Sequence, residues 1–210
     1  MNRNGLAEIY ECSPQDFGIS KEVEKPLVCV QGLGFVGAAM SVATATSCDR
    51  QGVPFFNVVG LDLDNDFGSR RVSSINRGAF PFKSGDKSLH LETESCFKRG
   101  NLRATTNPQI LQIADIVIVD VNLDVDKKNS FNGKLVDYNV DLKPFKKAIK
   151  TIGAFCKENA LILIETTVPP GTCKNIVKPI IFQCLKDRDL STKKIKIGHS
   201  YERVMPGPDY

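Results

Sequence analysis

The chain has no tryptophan, only two histidines among 210 residues, and no two of its seven cysteines at CxxC spacing. A structural zinc site needs clustered cysteine and histidine ligands, and a disulfide framework needs regularly paired cysteines. The sequence therefore predicts reduced thiols and no metal site.

Long apolar runs are also missing. A helix that crosses a bilayer needs about 20 predominantly apolar residues, and no stretch approaches this length. The polar residues 1–24 lack the apolar run of a secretory signal. The net charge is +4, but the lysines are interleaved with acidic residues instead of forming a basic stripe. We expect a cytoplasmic protein with neither a membrane nor a nucleic acid as partner.

The composition, 41% hydrophobic and 25% charged, is typical of a globular protein. Residues 1–24 show no apolar periodicity and are predicted to be an N-terminal arm that either docks or stays loose, followed by one domain over residues 25–210. From Lys25 onward, short apolar runs alternate with helical patterns, which is typical of βαβ units. The predicted fold class is α/β: a Rossmann-type, doubly wound, mainly parallel six-stranded sheet with helices on both faces. The predicted strands are Leu27–Val30, Asn57–Leu61, Leu102–Thr105, Ile116–Val121, Leu161–Glu165 and Ile195–His199.

The helical patterns lie between these runs. A helix rich in small residues is predicted over Phe35–Cys48, and an amphipathic helix is predicted after Asp141, which would be its N-cap. Pro179 must kink a later helix or delay its start. Residues 77–100 and 122–139 show no clear period and are predicted to be long loops.

The first predicted strand runs directly into a glycine motif, Gly32-Leu33-Gly34-Phe35-Val36-Gly37, which has the form G-x-G-x-x-G and opens a helix. The first glycine permits a tight turn, the second lets a pyrophosphate approach the backbone, and the third allows close packing. The N–H groups at the start of the helix face the phosphate charge.

An acid, Asp62, ends the second predicted strand, where a ribose diol would lie. A carboxylate there accepts hydrogen bonds from both ribose hydroxyls and repels a 2′-phosphate, so the predicted cofactor is NAD and not NADP. Two alternatives to an NAD site remain open. The motif could be a glycine turn without a ligand, or it could bind FAD or S-adenosylmethionine, whose sites share parts of the pattern.

Two later segments carry a family resemblance. Residues 165–172, Glu-Thr-Thr-Val-Pro-Pro-Gly-Thr, resemble a motif of the UDP-glucose/GDP-mannose dehydrogenase family, and residues 199–207 are similar to its S-P-E-R-containing segment. With the glycine motif, Asp62, residues 75–78 and residues 114–119, the match follows the family order from Leu27 to Gly207.

The resemblance implies oxidation of the C6 alcohol of a UDP- or GDP-linked sugar to the uronate, in polysaccharide biosynthesis, with two NAD per turnover. A cysteine captures the intermediate aldehyde, and the resulting thioester is hydrolysed. The resemblance also implies a sugar-nucleotide substrate and a homo-oligomer for the complete enzyme.

Site residues follow from the resemblance by position. The catalytic candidates are Thr167 and Glu202, the latter matching a glutamate that polarises the hydrolytic water. The residues assigned to the cofactor are Gly32, Leu33, Gly34, Phe35, Val36 and Gly37 at the pyrophosphate, Asp62 at the ribose, Arg71 at the flank, Val121 and Asn122 at the adenosine half, and Thr166 and Thr167 near the nicotinamide.

Some of these residues also have ordinary structural interpretations. Arg71 could instead be an exposed helix residue, Thr166 and Thr167 could cap a strand end, and Glu202 could be a solvated carboxylate.

Departures from the family pattern keep a second hypothesis open. Asn122-Leu123 replaces the usual Thr-Pro, and Tyr201 replaces the proline of S-P-E-R.

The chain is also shorter than the enzymes it resembles, which are about twice as long. We therefore expect an NAD-binding half that is inactive by itself, without the C-terminal half that carries the catalytic cysteine. Cys173, near a predicted helix N-terminus that would stabilise a thiolate, is the only candidate replacement, although a structural role is the more ordinary one. The alternative function is a stand-alone NAD-binding or assembly module without catalysis.

Overall fold

A computed structural model describes residues 12–20, 25–123 and 125–201. Short helical turns occur at Pro14–Phe17 and Pro108–Gln112, and one π-helical turn occurs at Cys173–Val177. In chain order the other elements are β1 (Leu27–Gln31), α1 (Phe35–Thr46), β2 (Asn57–Leu61), α2 (Asp66–Ile75), α3 (Lys87–Arg99), β3 (Leu102–Thr105), β4 (Ile116–Val119), β5 (Val125–Asn129), β6 (Leu135–Val140), α4 (Lys143–Phe155), β7 (Leu161–Ile164), α5 (Lys178–Asp187) and β8 (Lys196–His199).

The main sheet has six strands in the order β3-β2-β1-β4-β7-β8, and every pair is parallel. This confirms the predicted doubly wound fold, with all six strands at the expected places. The chain moves outward from β1 to β3 and then returns to place β4 on the other side of β1. The carboxyl ends of β1 and β4 therefore flank the crevice where such sheets bind ligands.

Two apolar cores, one on each face of the sheet, hold the helices in place. Side chains alternate between the faces along each strand. Thus Cys29 packs with α4 and α5, whereas Val28 and Val30 pack with α1, α2 and α3. Phe145 and Ile149 of α4 are fully buried. Because both faces are covered, the strands read as nearly continuous apolar runs, which is why the sequence locates them well.

The prediction of a loop over residues 77–100 is wrong for its second half, which forms α3. Asp86 caps this helix by accepting a hydrogen bond from Ser88 N at 2.8 Å, and Gly100 ends it with a φ of 85°. Only Thr93 and Cys96 of the helix are buried. Because the buried stripe of the helix is so narrow, the sequence shows almost no apolar periodicity there. The capping residues Asp86 and Gly100 were the sequence features that could have indicated the helix.

The prediction of a loop over residues 122–139 is also wrong. Strands β5 and β6 form an antiparallel hairpin, closed by a turn in which Ser130 N donates to Lys134 O at 2.7 Å and Gly133 has a φ of 78°. Each side chain from Val125 to Asn129 is exposed. A ribbon with both faces in solvent lacks the alternation by which strands are recognised.

Several predicted boundaries shift by a few residues. The N-cap of α4 is Leu142, while Asp141 accepts a hydrogen bond from Lys143 N at 2.9 Å. Pro179 lies at the start of α5 and follows the π-helical turn, so it delays the α-helix instead of kinking it. Helix α1 ends at Thr46, and β4 and β7 end at Val119 and Ile164.

The described part of the N-terminal arm docks on the domain. Ile19 is 2% exposed, and Ser20 N donates to Gly100 O at 3.3 Å. This segment contacts β3, the edge strand of the sheet. No helix within the described ranges is long and apolar enough to cross a membrane.

Candidate functional site

The glycine motif forms a tight turn against the neighbouring strand end. Gly32 has a φ of 101°, and its N–H donates to Leu61 O at 2.8 Å. A Cβ at Gly32 would lie 2.2 Å from Asp120 O, and one at Gly37 would lie 1.8 Å from Gly32 O. No other residue type fits these two positions without moving backbone.

Gly34 is different because a Cβ built there meets no atom within 4 Å. It precedes α1, and its carbonyl accepts the hydrogen bond of Ala38 N at 2.9 Å. The N–H groups of the first helical turn have no intrahelical partner and bind anions readily. An open cradle beside these donors fits a pyrophosphate. Phe35 and Val36 lie in this turn, whereas the side chain of Leu33 is buried against Gly60, leaving only its backbone for a ligand.

Asp62 follows β2 and is held by two partners. Oδ1 accepts from Leu63 N at 2.8 Å, and Oδ2 accepts from Nη1 of Arg71 at 3.1 Å. Arg71 belongs to α2, whereas its neighbour Arg70 lies over the ring of Phe67. The structure thus resolves the choice between the two arginines: Arg71 is the one joined to Asp62.

The chain after β4 is joined to the chain after β7 by Thr166. Its side chain accepts a hydrogen bond from Val121 N at 2.9 Å and shares its proton between Val119 O at 3.2 Å and Val121 O at 3.1 Å. Thr166 is 5% exposed, whereas Thr167 is exposed. Asn122 is exposed at the same edge. Of the two threonines predicted near the nicotinamide, only Thr167 presents its side chain to solvent.

Replacing Thr166 with valine is expected to destabilise the domain by about 1–3 kcal/mol, because the N–H of Val121 loses its acceptor while staying half-buried. Urea denaturation followed by circular dichroism measures the change. Thr166→Ser keeps the hydroxyl and serves as the matched control. A valine variant as stable as the unaltered chain would contradict the role given to the hydroxyl.

Glu165 lies among the residues of the candidate site, although no role was predicted for it from the sequence. It follows β7 directly, is 6% exposed, and its N–H donates to Val119 O at 3.0 Å. Its backbone therefore lies at the carboxyl edge of the sheet, beside the ends of β4 and β7. The signal for it was its place as the first residue of the Glu-Thr-Thr-Val-Pro-Pro-Gly segment. Glu202, the predicted catalytic glutamate, lies outside the described residues.

Burial disfavours the thiolate form of most cysteines in the described part of the chain. Cys173 begins the π-helical turn, but burial raises its pKa, so the expected stabilisation of its thiolate is wrong. Burial raises the pKa of Cys156 to about 11. It also raises the pKa values of Cys29, Cys96 and Cys184. Desolvation disfavours the charged thiolate more than the nearby cations favour it.

Comparison with known sequences shows the family. The profile of the UDP-glucose/GDP-mannose dehydrogenase family, NAD binding domain, matches residues 26–209. UDP-N-acetyl-D-mannosamine dehydrogenase of Methanocaldococcus jannaschii is 31% identical over 180 residues, which are 86% of this chain and 35% of that protein. UDP-N-acetyl-D-glucosamine 6-dehydrogenase of Pseudomonas aeruginosa is 26% identical over 86% of this chain and 36% of its own length. The chain thus spans about a third of the length of these relatives.

Solved structures agree on the fold. A dehydrogenase of NDP-N-acetyl-D-galactosaminuronic acid from Methanosarcina mazei superposes with a TM-score of 0.72 at 22% identity, over 87% of this chain and 36% of that one. GDP-mannose dehydrogenase of Pseudomonas aeruginosa, solved as a ternary complex, superposes with a TM-score of 0.65 at 22% identity, over 85% and 36%. The glycine cradle, the acid after β2 and the match over residues 26–209 lead to one conclusion. This chain belongs to the UDP-glucose/GDP-mannose dehydrogenase family as its NAD-binding domain, and its cofactor is NAD.

Proposed function

We propose that the chain is the NAD-binding half of a nucleotide-sugar dehydrogenase that oxidises the C6 alcohol of a UDP- or GDP-linked sugar to the uronate with two NAD. The observation that carries the proposal is the open cradle at Gly34 after β1, together with the Asp62 carboxylate that follows the paired strand β2. The names of the relatives, which act on UDP-linked amino sugars, support a nucleotide-linked substrate.

Each part of the site has a task in this proposal. The N–H groups of the first turn of α1 bind the pyrophosphate, and Asp62 accepts hydrogen bonds from the ribose hydroxyls. The bound cofactor supplies a hydride acceptor. Thr167 is exposed at the carboxyl edge of the sheet, where it would contact the nicotinamide half, while Thr166 links the chain after β4 to the chain after β7. Glu202 takes the proton of the water that hydrolyses the thioester.

A stand-alone NAD-binding or assembly module is the second candidate, and two observations favour it. Leu123, which replaces the usual proline, packs against the apolar core. Within the described ranges, burial raises the pKa of six cysteines and so disfavours their thiolates: Cys12, Cys29, Cys96, Cys156, Cys173 and Cys184.

Cofactor selectivity tests the NAD site directly. Calorimetric titration should show tighter binding of NAD than of NADP, because Asp62 accepts from a ribose diol and opposes a 2′-phosphate. Asp62→Ala should weaken NAD binding by about 10- to 100-fold, since hydrogen bonds to a charged group are lost. Equal or tighter binding of NADP by the unaltered chain would contradict the assignment of Asp62.

Product stoichiometry tests the dehydrogenase itself. The polypeptide that carries this domain, incubated with UDP- and GDP-linked sugars, should release two NADH for each uronate formed. Absorbance at the NADH band and chromatography of the sugar nucleotide give the ratio. NAD binding without any NADH production from these sugars would favour the stand-alone module.

A further inference from the structure

Arg71 is held at two points. Its Nη1 donates to Oδ2 of Asp62 at 3.1 Å, and its guanidinium carbon lies 5.5 Å from the centre of the Phe82 ring. The Asp62 side chain is 7% exposed and that of Arg71 is 32% exposed. The guanidinium of Arg71 therefore contacts both the Asp62 carboxylate and an aromatic ring.

Phe82 is itself fixed by an aromatic cluster. Its ring centre lies 5.7 Å from that of Phe35 and 6.0 Å from that of Phe80, and the rings of Phe35 and Phe80 are 5.6 Å apart in an edge-to-face arrangement. Phe80 is 5% exposed. Because Phe35 is the first residue of α1, this cluster ties the segment of Phe80 and Phe82 to the glycine motif. The ring of Phe82 is thus a rigid support for Arg71.

We propose that Phe82 is a positioning residue: it holds Arg71 against Asp62 and so increases the preference for NAD over NADP. The inference rests on the proposed cofactor site at Asp62. An arginine near the ribose is the residue that accommodates a 2′-phosphate in NADP enzymes. Here its guanidinium is engaged by a carboxylate and an aromatic face, so turning toward a 2′-phosphate requires both contacts to break.

The contribution of the ring can be stated as a selectivity change. A cation–π contact at a partly exposed site corresponds to roughly a two- to fivefold change in an equilibrium constant. Phe82→Leu should therefore lower the ratio of the Kd for NADP to the Kd for NAD by roughly two- to fivefold. Phe82→Tyr keeps a ring over the guanidinium and should keep the ratio.

The test is a set of calorimetric titrations with NAD and NADP on the unaltered chain and on Phe82→Leu, Phe82→Tyr and Phe82→Met. Methionine removes the ring but keeps an apolar side chain, so it gives a second measurement if the leucine variant does not fold. The same substitutions are then made in an Arg71→Met background. The ratio of the two Kd values reports selectivity and is insensitive to a general loss of stability.

A lower ratio in the leucine and methionine variants, its retention in the tyrosine variant, and no effect of position 82 without Arg71 would support the proposal. An unchanged ratio in the leucine and methionine variants, with NAD bound normally, would overturn the role of Phe82 but leave the proposed cofactor site in place. An equal fall in the Arg71→Met background would also overturn it, because the ring of Phe82 would then affect selectivity without acting through Arg71. If the unaltered chain bound neither dinucleotide, the cofactor site and this inference would both be wrong.

Discussion

Replacing Gly34 with alanine is expected to weaken NAD binding by roughly 100-fold, which corresponds to about 2.7 kcal/mol, while the chain still folds. A Cβ at this position meets no protein atom within 4 Å, so the domain has room for the methyl group. The pyrophosphate, however, needs that space to reach the N–H groups at the start of α1. Gly34 has a φ of −59°, which alanine adopts easily, so the free chain should gain about 0.4–1 kcal/mol in stability.

Calorimetry for NAD and urea denaturation for the free chain measure the two opposite effects. Gly198→Ala is the matched control, since it adds the same methyl group to β8, where the nearest atom is the flexible end of Leu163 at 3.3 Å. Gly32→Ala and Gly37→Ala should instead impair folding, because each Cβ would collide with a backbone oxygen at 2.2 Å or 1.8 Å. Normal NAD affinity in Gly34→Ala would mean that the pyrophosphate does not bind at this cradle.

Glu202→Gln in the complete enzyme is expected to slow hydrolysis of the thioester by roughly 100- to 10,000-fold, the usual contribution of a general base. The amide keeps the shape of the side chain but cannot take a proton from water. The two hydride transfers should be much less affected. Single-turnover kinetics, combined with mass spectrometry of the protein, should show a covalent adduct that accumulates after NADH is released.

Glu165→Gln is the informative comparison, because Glu165 is a buried carboxylate that directly follows β7 at the carboxyl edge of the sheet. If the adduct accumulates in Glu165→Gln and not in Glu202→Gln, then Glu165 is the base and the assignment of Glu202 is wrong. If the first hydride transfer fails in Glu202→Gln and no adduct forms, Glu202 positions the substrate or supports the loop.

The helix and hairpin that the sequence analysis missed share a physical cause. Periodicity reports burial, and α3 buries only Thr93 and Cys96, while both faces of the β5–β6 ribbon are in solvent. The caps Asp86 and Gly100 and the turn at Gly133 were visible as residues, but a cap is recognised only where a helix is already expected. Exposed elements therefore leave no apolar pattern in the sequence.

The sequence by itself determined the six strands, the glycine motif and the acid after β2, and through them the fold class and the cofactor. Buried parallel strands must be apolar along their whole length, and a pyrophosphate turn must contain glycine at fixed spacing, so both leave a local pattern. Only the tertiary structure decided that Arg71 and not Arg70 meets Asp62, that Thr166 serves the backbone while Thr167 is exposed, and that burial raises the pKa of Cys173. These outcomes depend on neighbours from distant parts of the chain, brought together by packing on the sheet, and local sequence carries no record of such neighbours.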